Sequence, residues 1–348
     1  MSASNKFITD VLISFNPTFD PLILDILLLV VGCVFTVFVC LFGIAANIVN
    51  IPLFRKLGYQ DGVNVSLTAL AISDLCGLIF ELVYSVLLNP YILEKDLVVS
   101  KIVIGFITYY LFEYFTRVSG VITAYAALER CLCVTWPLKV KMIITNKVSV
   151  AVNWSIFMLY SLYLFPQFFT TYFDWTYVPE RNKTVYVIYL TSRRSEVFPI
   201  TYYITDMLLP CSTYIVLITC CTTLFLKLKS KAKWRQLVSS SRDKVSHVNR
   251  KELKSARMFM AVSFMAVVLL LPQSVMFSVL IFIRALAMDG QYGDLRHALN
   301  TCVNLLKISN SSFTIFIYYN MSTKYRFEFQ RMLAKFKSNV NLQPEIHK

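Results

Sequence analysis

The chain has 348 residues, of which 57% are hydrophobic and 15% aromatic against only 16% charged. That composition leaves too little polar surface to cover several soluble domains, so a lipid bilayer must supply much of the solvent. The formal net charge of +14 raises nucleic acid as a partner, but the excess sits beside the ends of apolar segments, where it orients a membrane protein and meets anionic lipid, and nucleic acid is set aside.

A spanning helix needs ~20 apolar residues, because the hydrocarbon is ~30 Å thick and each helical residue rises ~1.5 Å. Met1–Asp20 lacks the apolar core of a cleavable signal peptide, and residues 1–25 are read as an N-terminal segment outside the membrane. Stretches long enough to span follow at Ile26–Phe54, Val63–Leu88, Ile102–Val134, Val148–Phe168, Ile200–Leu226, Leu253–Ile283 and Leu295–Tyr319. A closed barrel would need short alternating strands instead of unbroken apolar runs. The expected fold class is therefore an all-α membrane protein, a seven-transmembrane helix bundle occupying residues 26–319. Residues 320–348 form a tail in which Tyr325, Phe327, Phe329, Met332, Leu333 and Phe336 alternate with basic residues, the pattern of an amphipathic helix lying on the membrane surface.

Orientation follows from lysine and arginine, which stay on the cytoplasmic side of short loops. Arg55 and Lys56, then Lys139, Lys141 and Lys147, then the run from Lys227 to Arg257, and finally Lys324 to Lys337 mark alternate loops and the C-terminus as cytosolic. The opposite loops mix signs, which places the N-terminus outside, and the expected location is the plasma membrane. All nine cysteines fall in the spans or at their edges, so no extracellular disulfide is expected. Of the Asn-x-Ser/Thr sequons, those at Asn64, Asn153, Asn310 and Asn320 fall in spans or on the cytosolic side, leaving Asn182 as the glycosylation candidate.

Five ionisable residues lie in the outer halves of the spans: Glu81, Glu113, Arg117, Asp206 and Lys307. A charge at a helix centre costs ~2.5–3.5 kcal/mol on insertion scales, so each is a candidate functional residue. Glu113 and Arg117 share a helix face at i, i+4, and Glu113 lies ~25 Å from Arg130 at ~1.5 Å per residue. His247, His297 and His347 have no metal-ligand spacing, no glycine-rich phosphate loop occurs, and no catalytic constellation is visible. An enzyme is not expected.

Several motifs together resemble the rhodopsin-like (class A) G-protein-coupled receptors. They are Gly43-Ile-Ala-Ala-Asn47, Leu70-Ala-Ile-Ser-Asp74-Leu, Glu129-Arg130-Cys131 followed by Trp136-Pro137-Leu138, then Trp154, Pro210, Pro272, and Asn310-Ser311-Ser312 with Tyr318. The triplet, the basic third inner loop and Tyr318-Tyr319-Asn320 look most like invertebrate neuropeptide-type or chemosensory-type members. The resemblance implies a receptor that binds an extracellular peptide or small chemosensory molecule and activates a heterotrimeric G protein. Arg130, paired at rest with Glu129 and Glu252, would be freed when the sixth span moves outward, while Pro137, Leu138 and Tyr318 complete the coupling face. Asp74, Ser119, Asn310 and Ser311 match the family's pocket for an allosteric sodium ion, the one cofactor considered. Departures are the missing aromatic before Pro272, where Phe264 and Phe277 are candidate substitutes, Thr314 in place of asparagine, Ile218 in place of a tyrosine, and Gly105 in place of a bridged cysteine.

By the same resemblance the bundle would bring Arg117 to Asp206 and Glu81 to Lys307, leaving Glu113 the least satisfied. Two readings stay open. Internal ion pairs merely hold the bundle in register, or Glu113 offers its carboxylate to a cationic ligand group, with Tyr109, Tyr110, Phe112 and Tyr203 as aromatic walls. The mixed outer charge leans towards a peptide-like ligand. An opsin would place its lysine at Ile308 and a monoamine receptor its aspartate at Phe112, so both are set aside. The alternative from another class is a seven-helix transporter or channel using the five charged residues as a pathway.

Overall fold

The computed structural model describes residues 20–59, 62–87, 99–136, 140, 142–179, 182–238, 244–283 and 292–342, apart from the side chains of 21, 231–238, 244–253, 280–282 and 338–342. Among these residues the chain is a bundle of seven long helices with one further helix behind it. Helix α1 is Leu22–Leu57, α2 Gly62–Leu87, α3 Lys101–Thr135 and α4 Asn146–Phe169. Helix α5 runs through Arg194–Tyr202, a π-helical turn at Tyr203–Leu208, and Leu209–Val238. Helix α6 is Lys244–Phe282, α7 Gly293–Met321 and α8 Thr323–Leu342.

Six of these helices are apolar and long enough to cross a bilayer on composition alone. The seventh, α7, is not in that set because it carries Asn304, Lys307, Asn310, Ser311, Ser312 and Thr314, all of which are buried against the bundle. Polar residues on a span are tolerated where they face helix partners instead of lipid. The lipid side, by contrast, shows Phe38, Trp154, Leu162, Ile215 and Phe264, each more than half exposed.

Helix α3 is the centre of the bundle and packs on α2, α4, α5 and α6. Without a hydrophobic drive between helices in lipid, close approach depends on small residues and on shape. At Gly43 a Cβ would stand 2.1 Å from Ser312 Oγ and 2.7 Å from Leu78, so glycine is what lets α1, α2 and α7 converge. Gly62 does the same where α2 meets Ser149 of α4 and Glu129 of α3. Helix α8 is pinned by an aromatic cluster: Tyr318 meets Phe54 edge-on at 5.2 Å, and Tyr325 packs on both while its hydroxyl donates to Asn50 Oδ1 at 2.5 Å.

Between α4 and α5 lies a feature absent from the helical expectation, a hairpin of strands β1 (Thr171–Val178) and β2 (Lys183–Leu190) paired antiparallel. The two segments are rich in aromatic and β-branched residues, and Asn182 adopts φ 48° in the turn between them, a conformation that asparagine tolerates better than most side chains. Asn182 is exposed there, as a glycan acceptor must be. Strand β2 is tied to the start of α3 by Ser100 N–H donating to the Tyr186 carbonyl at 3.0 Å.

Candidate functional site

In the half of the bundle nearest the start of α1, Glu113, Arg117, Asp206 and Lys307 form one connected cluster, with Glu113 at its hub. Arg117 Nη1 donates to Glu113 Oε2 at 2.8 Å, its Nη2 to Asp206, and its Nε to the Thr205 carbonyl at 3.4 Å. The guanidinium also lies 4.4 Å above the Tyr163 ring. Lys307 Nζ donates to Glu113 Oε1 and sits 4.8 Å from the centre of the Phe112 ring. Gln273, immediately after Pro272, donates to both Glu113 oxygens at 3.3 and 3.1 Å. Glu113, Asp206 and Lys307 are buried and Arg117 is nearly so, its side chain 9% exposed. Two cations and two carboxylates balance, which is the condition for keeping charge in a low-dielectric interior.

Local backbone geometry sets Asp206 in place. At the π-helical turn of α5 the Leu209 N–H bonds the Ile204 carbonyl, five residues back, and this wider turn carries Thr205 and Asp206 into the bundle. The Thr205 hydroxyl then donates to Asp206 Oδ2 at 2.7 Å. Such π-helical turns occur frequently at functional sites.

Three expectations are corrected by this geometry. Glu113 is not the least satisfied acid but the most heavily engaged, because Lys307 reaches it instead of Glu81. Glu81 is buried with its Oε2 lacking a hydrogen-bond partner among the described residues. Tyr203 is no pocket wall: it is half exposed on the outer surface of α5, since the π turn that brings Asp206 inward leaves it outside. Phe264 faces outward as well, 70% exposed, whereas Phe277 is buried and meets Tyr202 edge-on at 4.9 Å. Tyr109 does sit within an aromatic group, between Tyr84 and Tyr110.

Beside the cluster lies a cavity of about 50 Å³ between α3, α5 and α6 with Tyr160 of α4 at its edge, lined also by Arg117, Asp206, Gln273, Tyr214 and Phe277 among others. Gln273 and Tyr214 are residues that the charge-based reading missed. Tyr214 donates to the Leu270 carbonyl at 2.9 Å and contacts Ser274 Oγ at 3.2 Å, bridging α5 to α6 around Pro272. It stands one turn before Ile218, so a tyrosine linking α5 to α6 is present at a shifted position. Above the cavity Arg194 donates to the Tyr110 hydroxyl at 3.0 Å and to Thr170 Oγ1 at 3.2 Å, and lies 4.6 Å from the Phe198 ring.

Deeper in the bundle Ser119 donates to Asp74 Oδ1 at 2.6 Å, and Ser311 hydrogen bonds the same carboxyl. Asn310 is buried on the same helix as Ser311. Asn47 Nδ2 donates to the carbonyls of Ser311 and Gly43, both at 3.0 Å, and Asn47 Oδ1 accepts from Asn50 Nδ2 at 3.2 Å. At the inner end, Arg130 places its guanidinium 5.8 Å from the Phe259 ring on α6, and Glu129 is buried against the start of α2. Pro137, Leu138 and the side chain of Glu252 lie outside the described residues.

A seven-helix membrane bundle with a charged site at one end, an arginine at the other end of its central helix and a further helix after the seventh is the architecture of a G-protein-coupled receptor. The family model described as serpentine type 7TM GPCR chemoreceptor Srw matches residues 34–335, and the chain belongs to that family. It is thus a multi-pass membrane receptor of a chemosensory family, a family of receptors and not of enzymes. Comparison with curated proteins gave no match.

Proposed function

We propose that this receptor binds a small extracellular chemical in the cavity between α3, α5 and α6 and activates a heterotrimeric G protein through the inner ends of those helices. The observation that carries the reading is the Glu113 hub, which joins α3 to α5 through Arg117 and Asp206, to α6 through Gln273, and to α7 through Lys307. A ligand bearing polar groups at this cavity competes for Arg117 or Gln273, and whatever it takes from Gln273 loosens α6 from α3. A ligand shifts such an equilibrium only by its differential affinity for the two states. The reading therefore requires the hub to be weaker in the active arrangement, with α6 moving away from α3 at both ends and Arg130 leaving Phe259 for the G protein.

The cavity is small, which favours a compact chemosensory molecule over a peptide, as does the family. In this reading Glu129, Arg130, Pro137, Leu138, Glu252 and Tyr318 form the switch and coupling face, the receptor sits in the plasma membrane with its N-terminus outside, and α8 rests on lipid headgroups. The donor set around Asp74 suits a hard cation, since Ser119 and Ser311 offer hydroxyl oxygens beside a carboxylate. Those residues would hold a sodium ion, which would supply a positive charge to balance the buried carboxylate.

The test is a panel of small odorants applied to cells that report each Gα class. A ligand-dependent response that disappears in Arg130→Ala supports the reading, whereas solute or ion flux in vesicles without G protein would replace it with the transporter alternative.

A further inference from the structure

A second cavity, of about 120 Å³, lies on the other side of the hub between α1, α2 and α7. Its volume is several times the roughly 10–15 Å³ that one water needs by such a measure. Two side chains on its wall are buried and under-satisfied: Glu81, 2% exposed, and Asn304, 6% exposed. Glu81 Oε2 and Asn304 Oδ1 are both acceptors without a hydrogen-bond partner among the described residues. Leaving such groups unpaired in a membrane interior is costly, about 1–3 kcal/mol each and more for a charged one. Ser85 on the same wall hydrogen bonds the Glu81 carboxyl without satisfying Oε2, while Lys307 is engaged by Glu113 and the Thr36 hydroxyl by the Val31 carbonyl at 2.9 Å.

The wall contributed by α1 is also irregular. Leu28–Phe35 is π-helical, and Leu28, Leu29 and Gly32 from this stretch line the cavity. Asp25, exposed one turn further out, adds a second carboxylate at its rim, while His297 and Thr301 line the α7 side. The chemistry is asymmetric, with two orphaned oxygen acceptors, an acid at the rim and no described lysine or arginine on the wall. An anion is disfavoured and a neutral apolar guest would leave both acceptors unpaired. A group with several N–H donors and a positive charge satisfies both.

We propose that this cavity is a binding site for a small organic ammonium ion, held by Glu81 and Asn304, separate from the cavity at Arg117 and Gln273. It needs no part of the G-protein reading, because occupancy is read by binding alone.

The test uses the full-length receptor in nanodiscs and saturation-transfer NMR of propylammonium, with 1-propanol and propionate as neutral and anionic controls. Saturable binding of propylammonium is expected, with the two controls much weaker. Glu81→Gln should weaken it about tenfold or more, the loss of a charged hydrogen bond, and Asn304→Asp should tighten it. The second variant keeps the proposal testable if Glu81→Gln folds poorly. Absence of saturable propylammonium binding, equal binding of 1-propanol or propionate, or affinity unchanged in both variants would overturn the assignment.

Discussion

Among the described residues, Glu113 carries the most ion-pair and hydrogen-bond partners of any carboxylate. It meets Lys307, Arg117 and Gln273 within one carboxylate, so neutralising it strands the buried Lys307 and leaves Arg117 with Asp206 as its remaining acidic partner. Removing one partner of a buried pair costs about 3–5 kcal/mol, whereas removing both can be close to neutral. Glu113→Gln and Lys307→Met should therefore each lower the unfolding temperature of the detergent-solubilised receptor, and the double variant should recover part of the loss. Additive losses in that cycle would mean that the two side chains do not interact. A smaller effect is expected at Tyr325→Phe, which removes the hydroxyl donated to Asn50 and should cost roughly 0.5–1.5 kcal/mol of stability.

At the scale of the elements, the long helices, α7 included despite its polar face, were legible because each apolar run, Leu295–Tyr319 among them, is as long as a bilayer requires. The identities of the buried ionisable residues were legible too, since a membrane interior makes them conspicuous. Of their partners, Arg117 beside Glu113 followed from the i, i+4 spacing, and Asp206 beside Arg117 and Ser119 and Ser311 beside Asp74 from the resemblance, whereas Lys307 and Gln273 beside Glu113 did not. A register drawn for regular α-helix cannot foresee the π-helical turns at Leu28–Phe35 and Tyr203–Leu208, and it was such a turn that put Tyr203 outside. The hairpin left a signal in Thr171–Val178 and Lys183–Leu190, two short runs rich in aromatic and β-branched residues around a turn, but each run is far shorter than the apolar stretches that mark the spans. Glycine positions give a direct contrast at this scale. Gly43→Ala would press a methyl into Ser312 and Leu78 and should destabilise by about 1–3 kcal/mol. Gly105→Ala meets only Tyr84, at 3.7 Å, and should be neutral or slightly stabilising, because alanine is favoured over glycine in a helix by up to about 1 kcal/mol. Thermal unfolding of the two variants checks the pair, and equal losses would contradict the packing described for α1, α2 and α7.

For the molecule as a whole, the outer hub and the inner arginine are joined by α3 and α6, which touch at both ends. Gln273 holds α6 to Glu113 near the outer surface, and Phe259 lies over Arg130 near the inner one. An α6 freed at Gln273 is thus expected to populate the arrangement in which Arg130 is exposed, without any ligand. Replacing Gln273 by leucine removes this tether without adding or deleting a charge. The decisive measurement is basal nucleotide exchange on Gα in vesicles containing the purified receptor, comparing wild type, Gln273→Leu and Gln273→Leu with Arg130→Ala. The account predicts a rise of roughly tenfold in the single variant, the scale set by one hydrogen bond to a charged group, and its loss in the double variant. Exchange that stays at the wild-type level in Gln273→Leu, or a rise that survives Arg130→Ala, would contradict it.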